Sequence, residues 1–187
     1  LSACLAVLGK RVLTIDIDPQ GNTTSGLGID KNHAKYSIYD IIVNGVDAKD
    51  TILHTSVKNL DIIVSKIQLA GAEIELVPMM AREMILKKAL ADIKEDYEYI
   101  LIDCPPSLGL ITINALTAAD KLLVPIQCEY YALEGLTQLM STYELVKKNL
   151  NPNLEIEGVV LTMFDARTNL SIQVVDEVKK HFRNKVY

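Results

Sequence analysis

The sequence is 187 residues long, with 49% hydrophobic and 23% charged residues and a formal net charge of -5. This composition is typical of a folded globular domain, and the acidic balance argues against an overall basic surface, although not against a local basic patch. No apolar run approaches the length of a membrane span, and no signal peptide is recognisable. Cys4, Cys104 and Cys128 lie far apart in apolar segments. We therefore expect small buried side chains in a reducing cytoplasm, with neither a disulfide framework nor a zinc site.

Predicted helices and strands alternate along the first half of the chain. Residues 1–8 are apolar and rich in alanine, and Gly9 follows as a helix-terminating glycine would. The run from Val12 to Ile15 is apolar or β-branched on both faces, as in a buried parallel strand, and Pro19 ends it. A loop rich in Gly, Asn, Thr and Ser covers 20–30. The further predicted elements are a helix at 36–43, a strand at 60–64, helices at 67–76 and 81–93, and a strand at 99–103.

The second half continues this alternation. Its predicted elements are a helix at 108–119, a strand at 121–126, a helix at 130–150, a strand at 156–164, a helix at 170–182 and the start of a strand at 186–187. Strands that alternate with helices predict an α/β fold, with a doubly wound, mostly parallel sheet, right-handed crossovers and helices on both faces. We expect residues 1–187 to form a single domain.

Three carboxylates follow predicted strands. Asp16 and Asp18 come at the end of the first strand, and Asp103 ends the strand at 99–103. Ligands of open α/β sheets bind at the carboxyl ends of the strands, so the three acids are expected at one ligand-binding edge. So much negative charge in one place is unfavourable unless cations or protons neutralise it. Bound Mg²⁺ with a polyphosphate would meet this requirement.

Other families also place acids after strands. A lone Asp there is usually a turn residue or a helix cap. Haloacid-dehalogenase-type phosphotransferases carry Asp-x-Asp after their first strand, but their motif continues to Thr or Val, whereas Pro19 and Gln20 follow here. Response-regulator receivers have a Lys after a late strand, and residues 126–128 contain none. A metal-dependent phosphotransfer or regulatory α/β domain without a P-loop stays open as an alternative.

The combined motifs are more specific than any single acid. The segments DIDPQGNTTSGLG (16–28), IDCPPSLG (102–109), VPIQCEYYALEG (124–135) and LTMFDARTNL (161–170) occur in this order. Together they resemble the ParA/Soj group of chromosome- and plasmid-partitioning ATPases, which are P-loop NTPases of the deviant Walker A class. That class also includes MinD and the nitrogenase iron protein. The resemblance covers essentially the whole chain.

The resemblance also shows what this sequence lacks. In the family, a phosphate loop of the Lys-Gly-Gly-Val-Gly-Lys-Thr type lies one helix before the first Asp strand, and further elements follow at the C-terminus. Neither part is found here. We therefore expect an incomplete ATPase domain, truncated at both ends and without the P-loop strand, which alone does not hydrolyse ATP.

The resemblance implies roles for five residues at the predicted edge. Asp103 is expected to hold Mg²⁺ through a bound water, and Asp18 to orient or activate the water that attacks ATP. Asp16 is expected to be a catalytic residue together with Asp18, and to support either the metal shell or the loop that follows it. Thr162 and Met163 are expected to face the adenine, although plain core packing of Met163 is an equal alternative.

The resemblance further implies partners. The family forms an ATP-dependent homodimer that binds DNA without sequence specificity, and a ParB/Spo0J-type partner protein stimulates hydrolysis. Arg167 matches a family position implicated in DNA contact. The basic run at 179–185 is more simply a solvated helix end. We expect a cytoplasmic, nucleoid-associated protein without membrane binding, since segment 129–135 resembles the partitioning branch, and a MinD-type membrane-associated ATPase is the alternative.

Overall fold

The computed structural model of the chain describes residues 1–129 and 132–187. It divides into two compact units, Leu1–Ala118 and Ala119–Tyr187. Strands and helices alternate in both, and strands pair in parallel within each unit. The predicted α/β fold is confirmed, whereas the single domain stays a prediction.

The first unit contains four strands and six α-helices in its described residues, joined by short 3-10 turns. They are α1 (Ser2–Val7), β1 (Val12–Asp16), α2 (Asn22–Gly26), α3 (Ile38–Ile42), β2 (Ile52–His54), β3 (Leu60–Ile63), α4 (Leu69–Leu76), α5 (Ile85–Leu90), β4 (Tyr99–Asp103) and α6 (Leu110–Ala118). The sheet order is β2-β3-β1-β4. β1 runs parallel to β3 and β4, and β2 is antiparallel to β3.

Strand β1 lies inside the sheet and is buried along its whole length. Val12 packs with Ala6 of α1 and Leu60 of β3, whereas Leu13 and Ile15 belong to the main hydrophobic core. That core also contains residues of α3, α4, α5 and α6. Burial of both faces explains why β1 is apolar or β-branched without a polar side.

Two predictions for the first unit need correction, and one strand was not predicted. Residues 20–30 were expected to be a loop but contain the short helix α2, whose Asn-Thr-Thr-Ser-Gly sequence has low helix propensity. The antiparallel strand β2 was not predicted, because three residues give no usable periodicity. The helix expected at 81–93 is a 3-10 turn followed by the shorter α5, and Ala81 has a left-handed backbone.

The second unit contains two described strands and two described α-helices. They are β5 (Lys121–Gln127), α7 (Ala132–Asn149), β6 (Glu155–Thr162) and α8 (Asn169–Phe182). β5 and β6 are parallel, and their core combines Val124 and Val159 with Val174 and Val178 of α8. The strand start expected at 186–187 is a single parallel bridge between Val186 and Val159. The predicted first two residues of the 130–150 helix lie outside the described residues.

The expectation of three buried cysteines is wrong for two of them. Cys128 is buried, whereas Cys4 and Cys104 are exposed. Of the helices in the described part of the chain, none is both long and apolar enough to span a membrane.

Candidate functional site

The first unit brings the three predicted acids to one edge of its sheet. Asp16 at the end of β1 lies beside Asp103 at the end of β4 in the strand register. The backbone N–H of Ile17 then donates to the carbonyl of Asp103 at 2.9 Å, which holds the two strand ends together. Asp18 follows on the same segment. The edge expected from the sequence is therefore present, but its three carboxylates have different surroundings.

The carboxylate of Asp16 is fully buried. Its Oδ2 accepts hydrogen bonds from the backbone N–H of Thr24 at 2.8 Å and from the Thr24 hydroxyl at 2.7 Å, and its Oδ1 accepts from the N–H of Asp18 at 3.2 Å. Burial raises the pKa of Asp16 above its ordinary value, these hydrogen bonds partly offset the rise, and the charge of Asp103 adds to it. Such contacts favour support of the following loop over a place in the metal shell.

Thr24 joins three segments and was not recognised in the sequence. Its hydroxyl donates to Asp16 and also accepts a hydrogen bond of 3.1 Å from the backbone N–H of Ser65, two residues after the end of β3. Thr24 and Ser65 are both fully buried. Helix α2 is thereby fixed to the ends of β1 and β3. The sequence did contain a signal for this contact. An Asp at the end of a buried strand requires hydrogen-bond donors, and a stretch of hydroxyl residues follows it.

Asp18 begins the turn that leads into α2 and is partly exposed. Its Oδ1 accepts from the N–H of Gln20 at 2.9 Å, and its carbonyl accepts from the N–H of Gly21 at 2.8 Å. Gly21 has a φ of 61°, in the left-handed region that favours glycine. A Cβ there would also lie 2.8 Å from the Lys31 Nζ and 3.1 Å from the Ser65 carbonyl oxygen. The turn that presents Asp18 therefore depends on this glycine.

Asp103 is the exposed acid of the three. Its Oδ2 accepts a 2.6 Å hydrogen bond from the hydroxyl of Thr23. In residues 1–129 and 132–187, no cluster of three or more His, Cys, Asp or Glu side chains is arranged to hold a metal. The single exposed carboxylate of Asp103 nevertheless fits Mg²⁺, because this ion keeps several waters and binds one or two carboxylates together with substrate phosphates. Asp103 would hold the ion, whose chemistry there would be to neutralise phosphate charge.

The second unit carries the other three predicted site residues. Thr162 ends β6 and its hydroxyl donates to the Ile126 carbonyl at 3.1 Å. Met163 is 74% exposed and has a φ of 53°, which is uncommon outside glycine. The alternative that Met163 packs in the core is therefore wrong. An exposed thioether on a strained backbone is available to a ligand.

Arg167 is exposed but already paired. Its Nε lies 2.9 Å from Asp165 Oδ1 and its Nη2 lies 2.7 Å from Asp165 Oδ2, which makes a two-pronged ion pair. The Arg167 guanidinium and the Arg167 backbone N–H together hold the pKa of the Asp165 carboxyl below its ordinary value. Asp165 was not predicted from the sequence, although an acid two residues before an Arg is a visible signal.

Comparison with known proteins identifies the family. A family model described as an AAA domain matches residues 1–156. The sporulation initiation inhibitor protein Soj of Bacillus subtilis is 65% identical over 187 residues, which is all of this chain and 74% of that protein. This chain belongs to the Soj/ParA family of chromosome-partitioning ATPases. The family and the enzyme class predicted from the motifs are thereby confirmed.

Other members and solved structures agree with this assignment. The Soj/ParA relative of Caulobacter vibrioides, named chromosome partitioning protein ParA, is 50% identical over 189 aligned positions, covering all of this chain and 71% of that protein. A crystal structure of cobyrinic acid a,c-diamide synthase from Mycobacterium smegmatis with bound ADP and magnesium has a TM-score of 0.90 and 37% identity. The match covers 97% of this chain and 74% of that one. The fold is therefore that of the P-loop NTPases related to Soj and ParA.

Proposed function

We propose that this ATPase acts as a partitioning switch in which Mg²⁺ and ATP bind at the carboxyl edge of β1 and β4. The observation that carries the proposal is the accessible Asp103 beside a turn that presents Asp18. The solved relative with bound ADP and magnesium supports the same ligands for this chain. Phosphoryl transfer to water requires charge neutralisation and a positioned water, and these two carboxylates can contribute to both.

Each acid then has a distinct role. Asp103 holds a water of the Mg²⁺ ion, because Mg²⁺ dehydrates reluctantly and is often held through its waters. Asp18 orients or activates the attacking water from its partly exposed position. Asp16 is a positioning residue rather than a group that touches substrate, because its carboxylate is buried and already accepts three hydrogen bonds. Thr162 and Met163 contribute to the adenine pocket.

The partitioning role also requires partners. We expect an ATP-dependent homodimer, non-specific DNA binding through Arg167, and stimulation by a ParB/Spo0J-type protein in the cytoplasm at the nucleoid. The names of the Soj and ParA relatives support this role. Arg167 is 88% exposed at its side chain, so a DNA phosphate can replace Asp165 as its partner.

Two substitutions in the full-length protein test the assignment of the acids. Asp18→Ala should slow hydrolysis by roughly 10²–10⁴-fold, the range for a positioned acid–base group, with ATP affinity and ATP-dependent dimerisation largely kept. Asp103→Ala should instead weaken binding of Mg²⁺ with ATP, because the anchor of the ion is lost. Turnover, nucleotide affinity and dimer fraction by light scattering separate these two effects.

Asp30→Ala is the matched control, because Asp30 is an exposed acid of the same unit whose partners are the Asn32 N–H and His33. It should leave all three measurements unchanged. Hydrolysis by Asp18→Ala at the parent rate would show that Asp18 is only a turn residue. A covalent phosphoryl group on Asp16 or Asp18 would favour the phosphotransferase alternative, and ATP-dependent binding to lipid vesicles would favour the MinD-type alternative.

A further inference from the structure

The hydroxyl of Thr23 donates a hydrogen bond to the carboxylate of Asp103. Thr23 Oγ1 lies 2.6 Å from Asp103 Oδ2, although the two residues are 80 positions apart in the chain. This length is typical of a hydrogen bond from a hydroxyl to a charged carboxylate, which is about twice as strong as a neutral one. Within the described part of the chain, no other hydrogen bond to the Asp103 carboxylate is found. Among the described residues, Thr23 is therefore the one whose side chain is placed to orient this carboxylate.

The helix that carries Thr23 is held in place independently of this contact. Thr24, the next residue, binds Asp16 through both its backbone N–H and its hydroxyl, and it accepts from the Ser65 N–H. Gly21 closes the preceding turn through its hydrogen bond to the Asp18 carbonyl. The Thr23 hydroxyl is thus presented to Asp103 from a fixed base. Its removal should change Asp103 without releasing α2.

We propose that Thr23 is a positioning residue that holds Asp103 for Mg²⁺ binding, an inference that rests on the proposed role of Asp103. The hydrogen bond occupies Oδ2 and fixes the side-chain rotamer, so that Oδ1 is left to accept from a water of the ion. Partners of this kind around a metal ligand commonly change metal affinity by about 10–100-fold when they are removed. The exposure of Asp103 places the expected effect at the lower end of that range.

The contact also links two parts of the site. Thr23 and Asp18 belong to the same short segment between β1 and the end of α2, whereas Asp103 ends a different strand. A movement of this segment would therefore change the position of the Asp103 carboxylate through the hydrogen bond from Thr23. The orientation of Asp103 depends in this way on the turn that presents Asp18.

The test compares Thr23→Val, Thr23→Ser and Ser25→Ala in the full-length protein. Ser25→Ala is the matched control, because it removes a hydroxyl from the same helix whose hydrogen bond goes to the Gly21 carbonyl and not to a carboxylate. The first measurement needs neither metal nor nucleotide. Three-bond couplings of Asp103 in isotopically labelled protein report whether its χ1 angle occupies one rotamer or several. The second is the Mg²⁺ concentration that gives half-maximal ATP hydrolysis.

We expect averaged Asp103 couplings and an approximately 10-fold higher Mg²⁺ requirement in Thr23→Val. Thr23→Ser should restore both values, and Ser25→Ala should match the parent in both. Parent-like couplings in Thr23→Val, or an unchanged Mg²⁺ requirement, would overturn the inference. If the parent itself hydrolyses no ATP, the proposed function fails, while the metal-free couplings still decide whether Thr23 orients Asp103.

Discussion

Replacement of Thr24 by Val tests whether the buried hydrogen bonds of the site hold the edge together. The substitution keeps the branched shape of the side chain but removes the hydroxyl that donates to Asp16 and accepts from the Ser65 N–H. A hydrogen bond to a charged group contributes about 1.5–3 kcal/mol, and a buried N–H left unpaired costs about 1–3 kcal/mol. Allowing for partial relaxation, we expect a loss of about 3–4 kcal/mol in the free energy of unfolding. For a chain of this size, that lowers the melting temperature by about 6–16 °C.

The loss should depend on pH in a defined direction. The folded-state pKa of Asp16 is raised, mainly by burial, so the contribution of this group to stability decreases as the pH rises through the window above the ordinary Asp pKa. Thr24→Val removes a hydrogen bond that lowers this pKa, and the pKa therefore rises further. The stability lost should be largest near neutral pH. The loss should become smaller toward acid pH, where Asp16 is protonated in both proteins. Only the cost of the unpaired Ser65 N–H, about 1–3 kcal/mol, then remains.

Urea unfolding of the full-length, nucleotide-free protein from about pH 7.5 to about pH 4 measures this difference. Thr14→Val is the matched control in β1. The Thr14 hydroxyl is buried and has no hydrogen-bond partner in the described part of the chain, so its removal should be neutral or stabilise by about 1 kcal/mol. A Thr24→Val protein within about 0.5 kcal/mol of the parent, or a loss that does not vary with pH, would refute the reasoning.

Two further substitutions test the turn at Gly21 and the proposed DNA contact of Arg167. Gly21→Ala should lower the free energy of unfolding by about 1–2 kcal/mol, measured by urea unfolding, because φ is 61° and the new Cβ would meet Lys31. Asp165→Asn should raise affinity for non-specific duplex DNA about 2–5-fold at low salt, measured by fluorescence anisotropy, because an exposed ion pair contributes about 0–1 kcal/mol. The gain should disappear when Arg167→Ala is added, and a gain that persists would show that Asp165 does not act through Arg167.

The sheet edge could be predicted because its signals are local. An apolar strand that ends in Asp, followed by proline, fixes both the strand and the position of the acid after it. Two such strands are neighbours in the structure, with Asp16 beside Asp103. The strand bounds of β4 agree with the predicted 99–103. Parallel pairing then follows from the alternation of strands with helices.

The partners of these acids could not be predicted in the same way. Helix α2 is five residues long and has no apolar periodicity, so its position depends on the hydrogen bonds that Thr24 makes with Asp16 and Ser65 rather than on packing of an apolar face. Hydrogen bonds between distant residues leave no spacing pattern in a single sequence. The same holds for Thr23, which lies 80 positions from its partner. Only the fold shows that two adjacent threonines bind two different carboxylates.

Burial decides what each of the three acids can contribute. Asp16 has its oxygens taken by donors of the chain itself and lies out of contact with solvent, so it can stabilise the edge but not receive a ligand. Asp103 is exposed and shares one oxygen with Thr23, which leaves the other for an incoming donor. The side chain of Asp18 is partly exposed, and its Oδ1 accepts a hydrogen bond within its own turn. Asp18 is therefore intermediate between the buried Asp16 and the exposed Asp103. Adjacent threonines thus connect the buried carboxylate of Asp16 and the exposed carboxylate of Asp103 through a single turn of helix. Because Thr24 fixes the helix to Asp16, the position of Thr23, and with it the proposed orientation of Asp103, depends on an acid that is itself fully buried.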